Sequence, residues 1–108
     1  MDYEGFKSLL ETERSELLVL SDASKTARAP VELDQQSVGR LSRMDAMQQQ
    51  SMDLAREDRR QYRLAVLAAA LKRIDDDDYG YCLSCGDDIA RKRLEIDPAV
   101  TLCIGCQP

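Results

Sequence analysis

Four cysteines carry the most specific chemistry in this sequence, Cys82 and Cys85 in "YCLSCG" and Cys103 and Cys106 in "LCIGC". The two-residue gap inside each pair lets both sulfurs of one tight turn face a single ion. The seventeen residues between the pairs are enough to fold back and complete a tetrahedron. No histidine occurs in the 108 residues, so four thiolates would close the coordination sphere of one zinc ion. That leaves no open position for a substrate or an activated water, and a structural zinc rather than zinc catalysis is expected. A rubredoxin-like iron site, a redox dithiol pair and two disulfides are alternative uses of the same sulfurs. Gly86, directly after Cys85, can take positive φ and turn backbone amides toward the sulfurs, and Gly105 is placed to relax the second turn.

Charge and composition narrow the rest. With 15 Lys+Arg against 20 Asp+Glu the formal charge is −5, and metal-bound thiolates make the chain more negative still. Phosphate neutralisation supplies most nonspecific nucleic-acid affinity, so direct, sequence-specific DNA binding is not expected of it. Nor does it interleave basic and aromatic residues as a single-strand binding platform would. The start, "MDYEGFKSLLETERSE", lacks the basic and apolar stretches of a secretion signal. The longest apolar run, Leu64 to Leu71, spans eight residues, whereas a membrane span needs about 18 to 20. A monomeric cytoplasmic protein without a membrane segment is the expectation, and in that reducing compartment paired cysteines serve metal or redox chemistry.

The elements that must position the cysteines are helical. Tyr3, Phe6, Leu10, Leu17 and Leu20 recur at steps near 3.5, with Glu13 in the one missing seam position, and predict an amphipathic helix. Pro30 in "SDASKTARAPVELDQQS" interrupts it. Asp34, or else Ser37, offers a cap for the next helix. From Val38 to Ile74 there is no proline and good helix formers dominate, so one long helix is expected. The fold class expected is mainly α, an antiparallel coiled-coil hairpin over 1–74 with its tip at about 21–39, then a small four-cysteine zinc-finger module over 75–108. Val38, Leu41, Met44, Met47 and Met52 are the expected seam of the second helix, interrupted by Asp45, Gln48 and Arg59. "LAVLAAALKRI" is apolar almost all round and suits burial against the cysteine module.

Two charged stretches remain. The four carboxylates of "DDDDYG", from Asp75, oppose the helix dipole and end the helix, with Gly80 supplying the break. They read as a solvated acidic turn, or else as a divalent-ion or partner contact. Arg91, Lys92 and Arg93 form a basic triplet on an otherwise acidic chain. They read as a solvated short helix, or else as a contact for an acidic partner or a phosphate.

The stretch "YGYCLSCGDDIARKRLEIDPAVTLCIGCQ", Tyr79 to Gln107, resembles the DksA/TraR-type zinc-finger family, also called DnaK suppressor proteins. The likeness lies in the cysteine spacing, the "CGxxI" turn, the "RRLE"-like segment, the proline and "LCIxC". The resemblance implies a non-enzymatic transcription regulator whose coiled coil enters the secondary channel of bacterial RNA polymerase and modulates initiation without reading DNA sequence. In that family the tip bears a DxxDxA motif and often acts with guanosine tetraphosphate, so both polymerase and that alarmone are implied partners. Here the nearest tip segment is "DQQSVG": Asp34 matches the first acid, while Ser37 and Gly39 replace the second acid and the alanine. Asp45 and Ala46 in "MDAM" stand at a different spacing. Asp34, Ser37, Arg40, Arg43 and Asp45 are therefore the candidate partner contacts at the tip, and Arg91, Lys92 and Arg93 those on the zinc module. No basic residue lies between Arg63 and Lys72, where an alarmone surface near the zinc module would need one. The trailing helix of longer relatives is expected to be absent. A zinc-stabilised interaction module that docks without regulating, and a thiol redox protein, are the competing functions.

Overall fold

The computed structural model describes residues 3–29 and 40–108. Among them lie four helices, α1 (Glu4–Ala23), α2 (Lys25–Arg28), α3 (Arg40–Asp75) and α4 (Arg91–Ile96). One isolated antiparallel bridge joins Tyr81 to Asp88. The mainly helical class expected from the sequence is the one observed. At 1.5 Å per residue the 36 residues of α3 span about 54 Å. The molecule is accordingly drawn out, 63 × 28 × 20 Å with a radius of gyration of 19.5 Å, against about 13 Å for a compact chain of this size.

Helices α1 and α3 run antiparallel. Glu13 meets Arg63, Ser21 meets Glu57, and the carbonyl of Ala29 accepts from Gln50, so rising numbers on one helix meet falling numbers on the other. Among the described residues their buried apolar contact lies at the base. Phe6 and Leu10 from α1, and Leu67 and Ala70 from α3, are buried in one cluster with Tyr79, Cys82, Ile89, Leu94 and Ala99. Tyr3, Leu17, Val66, Leu71 and Ile74 pack around it. Despite the low aromatic content, Tyr79 anchors a small aromatic group, its ring 5.5 Å from Tyr3 edge-on and 5.9 Å from Phe6. The Tyr79 hydroxyl donates to the carbonyl of Pro98 at 2.6 Å, and burial pushes its pKa up to about 12. The apolar stretch of α3 is one-sided here, with Leu67 and Ala70 inward but Ala65, Ala68 and Ala69 exposed.

Farther out the expected apolar seam gives way to a polar one. Leu20, Met44, Met47 and Met52 are exposed, and Val38 and the side chain of Leu41 lie outside what is described. Glu13 occupies its seam position as a bidentate partner of Arg63. Beyond it Glu57, 7% exposed, accepts from Ser21 at 2.5 Å, Arg60 at 2.9 Å and Gln61 at 2.9 Å. Arg28 stands 3.8 Å from the same carboxylate. Ser24 accepts from Arg28 and Arg60. A buried carboxylate is tolerable only when it is saturated in this way, and its partners come from α1, α2 and α3 alike.

Helix α3 ends through backbone geometry. Asp77 has φ 59°, the amide of Asp78 bonds the carbonyl of Arg73 at 2.8 Å and that of Asp77 bonds Ile74 at 3.2 Å. This is a Schellman closure with aspartate where glycine is usual. The break therefore falls at Asp77, ahead of Gly80, whose own φ of 93° serves the next turn. The four aspartates are exposed, and Asp76 pairs with Lys72 at 3.1 Å, as a solvated acidic turn should.

Two expectations follow. Leu67→Ala should cost about 2 to 5 kcal/mol of unfolding free energy by urea titration, as a cavity in a packed core does, whereas exposed Leu18→Ala should stay within about 0.5 kcal/mol. Ser21 first, then Gln61 and Arg60, hold the Glu57 carboxyl at about 2 against an ordinary 4.5. Its stabilisation is therefore complete above about 4.5 and drains away as pH falls toward 2. Glu57→Gln should flatten that part of the stability-versus-pH curve measured by circular dichroism.

Candidate metal centre

Local backbone chemistry shapes the first hook. Gly86 adopts φ 79°, which an L side chain resists, and its amide bonds the carbonyl of Cys82 at 2.9 Å. The amide of Cys82 bonds Asp87 at 2.8 Å and that of Ile89 bonds Gly80 at 2.8 Å, closing the turn about the Tyr81–Asp88 bridge. The second hook closes through the amides of Cys106 and Gln107, both bonded to the carbonyl of Cys103. Gly105 takes no positive φ, and a Cβ there would meet only the Cys103 sulfur at 3.9 Å, so this turn does not require the glycine. The amide of Leu83 bonds Thr101 at 2.9 Å and ties the two hooks together across the chain.

The sulfurs converge. The four Sγ atoms of Cys82, Cys85, Cys103 and Cys106 all lie within 4.8 Å of one another. Cys85 and Cys103 are 3.7 Å apart, far from the about 2.05 Å of a disulfide. Zinc–sulfur bonds of about 2.3 Å in a tetrahedron put the sulfurs about 3.8 Å apart, so the donor set fits one zinc ion with no position left over. The thiols compete for charge. Backbone hydrogen bonds from Cys103, then Cys85, pull Cys82 down to about 6. At Cys85 the Asp87 backbone pulls the same way but is outweighed by Cys82 and burial, which leave it at about 12. A divalent cation resolves that competition by making all four thiolates favourable at once.

Other residues singled out in the sequence disperse. Asp34 and Ser37 lie outside the described residues, and of Arg40 only the backbone, opening α3, is described. Arg43 is half-buried with its Nε shielded and unbonded, and Asp45 is exposed on α3. The basic triplet is split by duty. Arg91 lies over the Phe6 ring at 5.5 Å and pairs with Glu95 at 3.3 Å. Arg93 donates to the Leu102 carbonyl at 2.8 Å and to Gln107. Lys92 alone of the three is exposed without a partner among the described residues.

Sequence reasoning missed the joint between arm and module. Arg63 donates two hydrogen bonds to Glu13, at 2.5 and 3.0 Å, and one to Asp97 at 3.0 Å. Asp97 also accepts from the amide of Ala99 at 3.0 Å. One guanidinium thus binds α1, α3 and the segment after α4, and the pKa of Asp97 falls despite its partial burial. The one available signal was Glu13 itself, an acid in an apolar register.

A small four-cysteine centre that braces a projecting pair of helices defines a C4-type zinc-finger protein of hairpin form. Residues 77–108 match the prokaryotic dksA/traR C4-type zinc finger. The RNA polymerase-binding transcription factor DksA of Haemophilus influenzae is 42% identical over 57 residues, 53% of this chain and 39% of that protein. Its counterpart in Escherichia coli is 40% identical over 57 residues, 53% and 38% of the two chains. That of Buchnera aphidicola is 31% identical over 110 residues, 94% of this chain and 66% of the relative. The first two matches therefore span about two-fifths of the relatives' length. The transcription factor DksA2 from Pseudomonas aeruginosa superposes with a TM-score of 0.79 at 25% identity, over 94% of this chain and 77% of that one. The chain belongs to the DksA/TraR-type C4 zinc-finger family.

Removal of the metal is expected to unfold the module and not the chain's helical propensity. Titration with a strong chelator under reducing conditions should release one zinc per chain, read by a colorimetric zinc indicator. Near-ultraviolet dichroism from Tyr79 should collapse with it, since structural zinc contributes on the order of 10 to 16 kcal/mol in such modules.

Proposed function

We propose that this chain is a non-enzymatic transcription regulator that binds bacterial RNA polymerase, with the helices of 1–74 as a docking arm and 75–108 as its zinc-fastened base. The observation that carries the reading is the shape: a thin paired-helix arm on a base held by Cys82, Cys85, Cys103 and Cys106. The relatives' names, RNA polymerase-binding transcription factor, supply the partner. That partner puts the work in the cytoplasm, where the chain acts as a monomer. A rod two helices wide suits insertion into the secondary channel of the enzyme, and the formal charge of −5 keeps the rod from being captured by DNA. The effect is then on initiation, delivered by the arm's end through Asp34, Ser37, Arg40, Arg43 and Asp45. On the base, Lys92 is the member of the basic triplet left to meet a partner.

Guanosine tetraphosphate is not required in this reading. The groove between α3 and the base is lined by Arg63 and Arg93, and both are already spent, on Glu13 and Asp97 and on Leu102 and Gln107. A polyphosphate entering there would have to break those bonds before gaining its own. Replacement of the second acid of the family tip by Ser37 favours a second reading, in which the chain docks without regulating.

The test is in vitro transcription from a stable-RNA promoter with purified polymerase, with and without guanosine tetraphosphate. The parent chain should change initiation equally in both conditions, and Asp34→Asn should weaken the change while binding persists. Polymerase binding with no change in transcription would favour the docking reading. No binding at all would overturn both.

A further inference from the structure

Helix α1 has a second face that the hairpin does not use. Leu9, Thr12, Glu16 and then Val19 and Leu20 follow one another at steps of three and four, the spacing of a helix-packing seam. The surface along them is a chain of shallow depressions. One lies beside Phe6, Leu9 and Glu95, the next runs from Leu9 past Glu13 and Glu16 to Ile96, and the third is walled by Glu16, Val19 and Leu20. Neighbouring depressions share Leu9, Glu95 and Glu16, so they form one groove. From Leu9 to Leu20 it extends about 16 Å, roughly three helical turns. Apolar side chains stand open in it: Val19 is 68% exposed and Ile96, at the end of α4, is 87% exposed. Burying an aliphatic side chain removes apolar surface from water and is favourable, so an aliphatic row left open along a packing seam calls for a cover.

Charge selects the cover. Helix α1 carries Glu4, Glu11, Glu13, Glu16 and Asp22 against Lys7 and Arg14. Glu13 and Glu95, on the groove's edge, are held by Arg63 and Arg91. Glu16, in its middle, has no partner among the described residues. A second copy of α1 laid along this face would set acid against acid, which is unfavourable at helix-packing distance. We propose that the outer face of α1, with Ile96, is a docking strip for a basic amphipathic helix of the partner protein, its apolar side chains on Leu9, Val19 and Ile96 and a Lys or Arg on Glu16. That polymerase supplies this helix rests on the functional reading above. The strip adds a side contact distinct from the arm's end, so grip and regulatory effect reside on different residues.

Two measurements test it, on the full zinc-loaded chain. The first is fluorescence anisotropy with a Leu/Lys heptad peptide longer than about 15 residues, enough to form helix, and with its Leu/Glu counterpart. The chain should bind the first in a salt-sensitive manner and not the second. The double substitution Val19→Ser with Ile96→Ser alters only exposed side chains and no charge. It should weaken binding about tenfold, as should Glu16→Lys. Equal binding by the parent and the serine variant would mean that charge alone attracts the peptide, and overturns the strip. So would a parent dimer in sedimentation that the serine variant abolishes, because the cover would then be a second copy. The second measurement is affinity for purified RNA polymerase. An about tenfold loss in the serine variant, with zinc content and helicity unchanged, supports the inference. Equal affinity overturns it while leaving the functional reading intact. If polymerase binds neither protein the functional reading fails, and the peptide measurement still decides the strip.

Discussion

The four sulfurs constrain everything else in this molecule. Between Tyr79 and the last cysteine there is one short helix and one bridge, far too little regular structure to hold a fold by itself. Drawing Cys82, Cys85, Cys103 and Cys106 to within 4.8 Å of one another pins that segment into a loop whose inner side chains, Tyr79, Ile89, Leu94 and Ala99, are buried. Those side chains face Phe6, Leu10, Leu67 and Ala70. The zinc finger is thus the inner wall of the hairpin's only apolar core among the described residues. The arm stands because the base is closed.

Away from that core the binding forces change character. Hydrophobic contact gives way to carboxylates saturated with hydrogen bonds, first Glu13 with Arg63 and then Glu57 with Ser21, Arg60 and Gln61. Polar seams specify register strongly, since a shifted helix would strand a charge, yet they contribute less net stability than packed aliphatics. An arm built this way is held in one alignment without a thick core. It can therefore stay slender. The cost is exposed apolar surface, on Met44, Met47 and Met52 as well as on α1, because a pair of helices has too little inside to hide it.

Much of this was legible in advance, and the reason differs by element. The cysteine spacing is a local code, since two residues between sulfurs fix the turn, and Gly86 indeed takes the left-handed conformation its position suggested. Helix existence was legible from composition and proline placement, and the ends of α1 and α3 fall within a few residues of expectation. The outer seam was misread because periodicity marks which side chains share a face and says nothing of what stands opposite. Met44 and Met47 share a face that meets solvent. Likewise the basic triplet is contiguous in sequence, but Arg91 is drawn to the Phe6 ring and Arg93 to the Leu102 carbonyl, contacts that exist only once α1 and the chain end have packed.

The sequence by itself marked the four cysteines as one candidate metal-ligating set, predicted the helical class and carried the family resemblance, because each depends on residue type at short spacing. Tertiary structure alone decided that Arg63 joins Glu13 to Asp97 across 50 and 34 residues of chain. It alone made Glu57 a buried hub and left the face of α1 from Leu9 to Leu20 open. A charge's partner, and an apolar row's cover, are set by which surfaces meet in space, and no local pattern encodes that meeting.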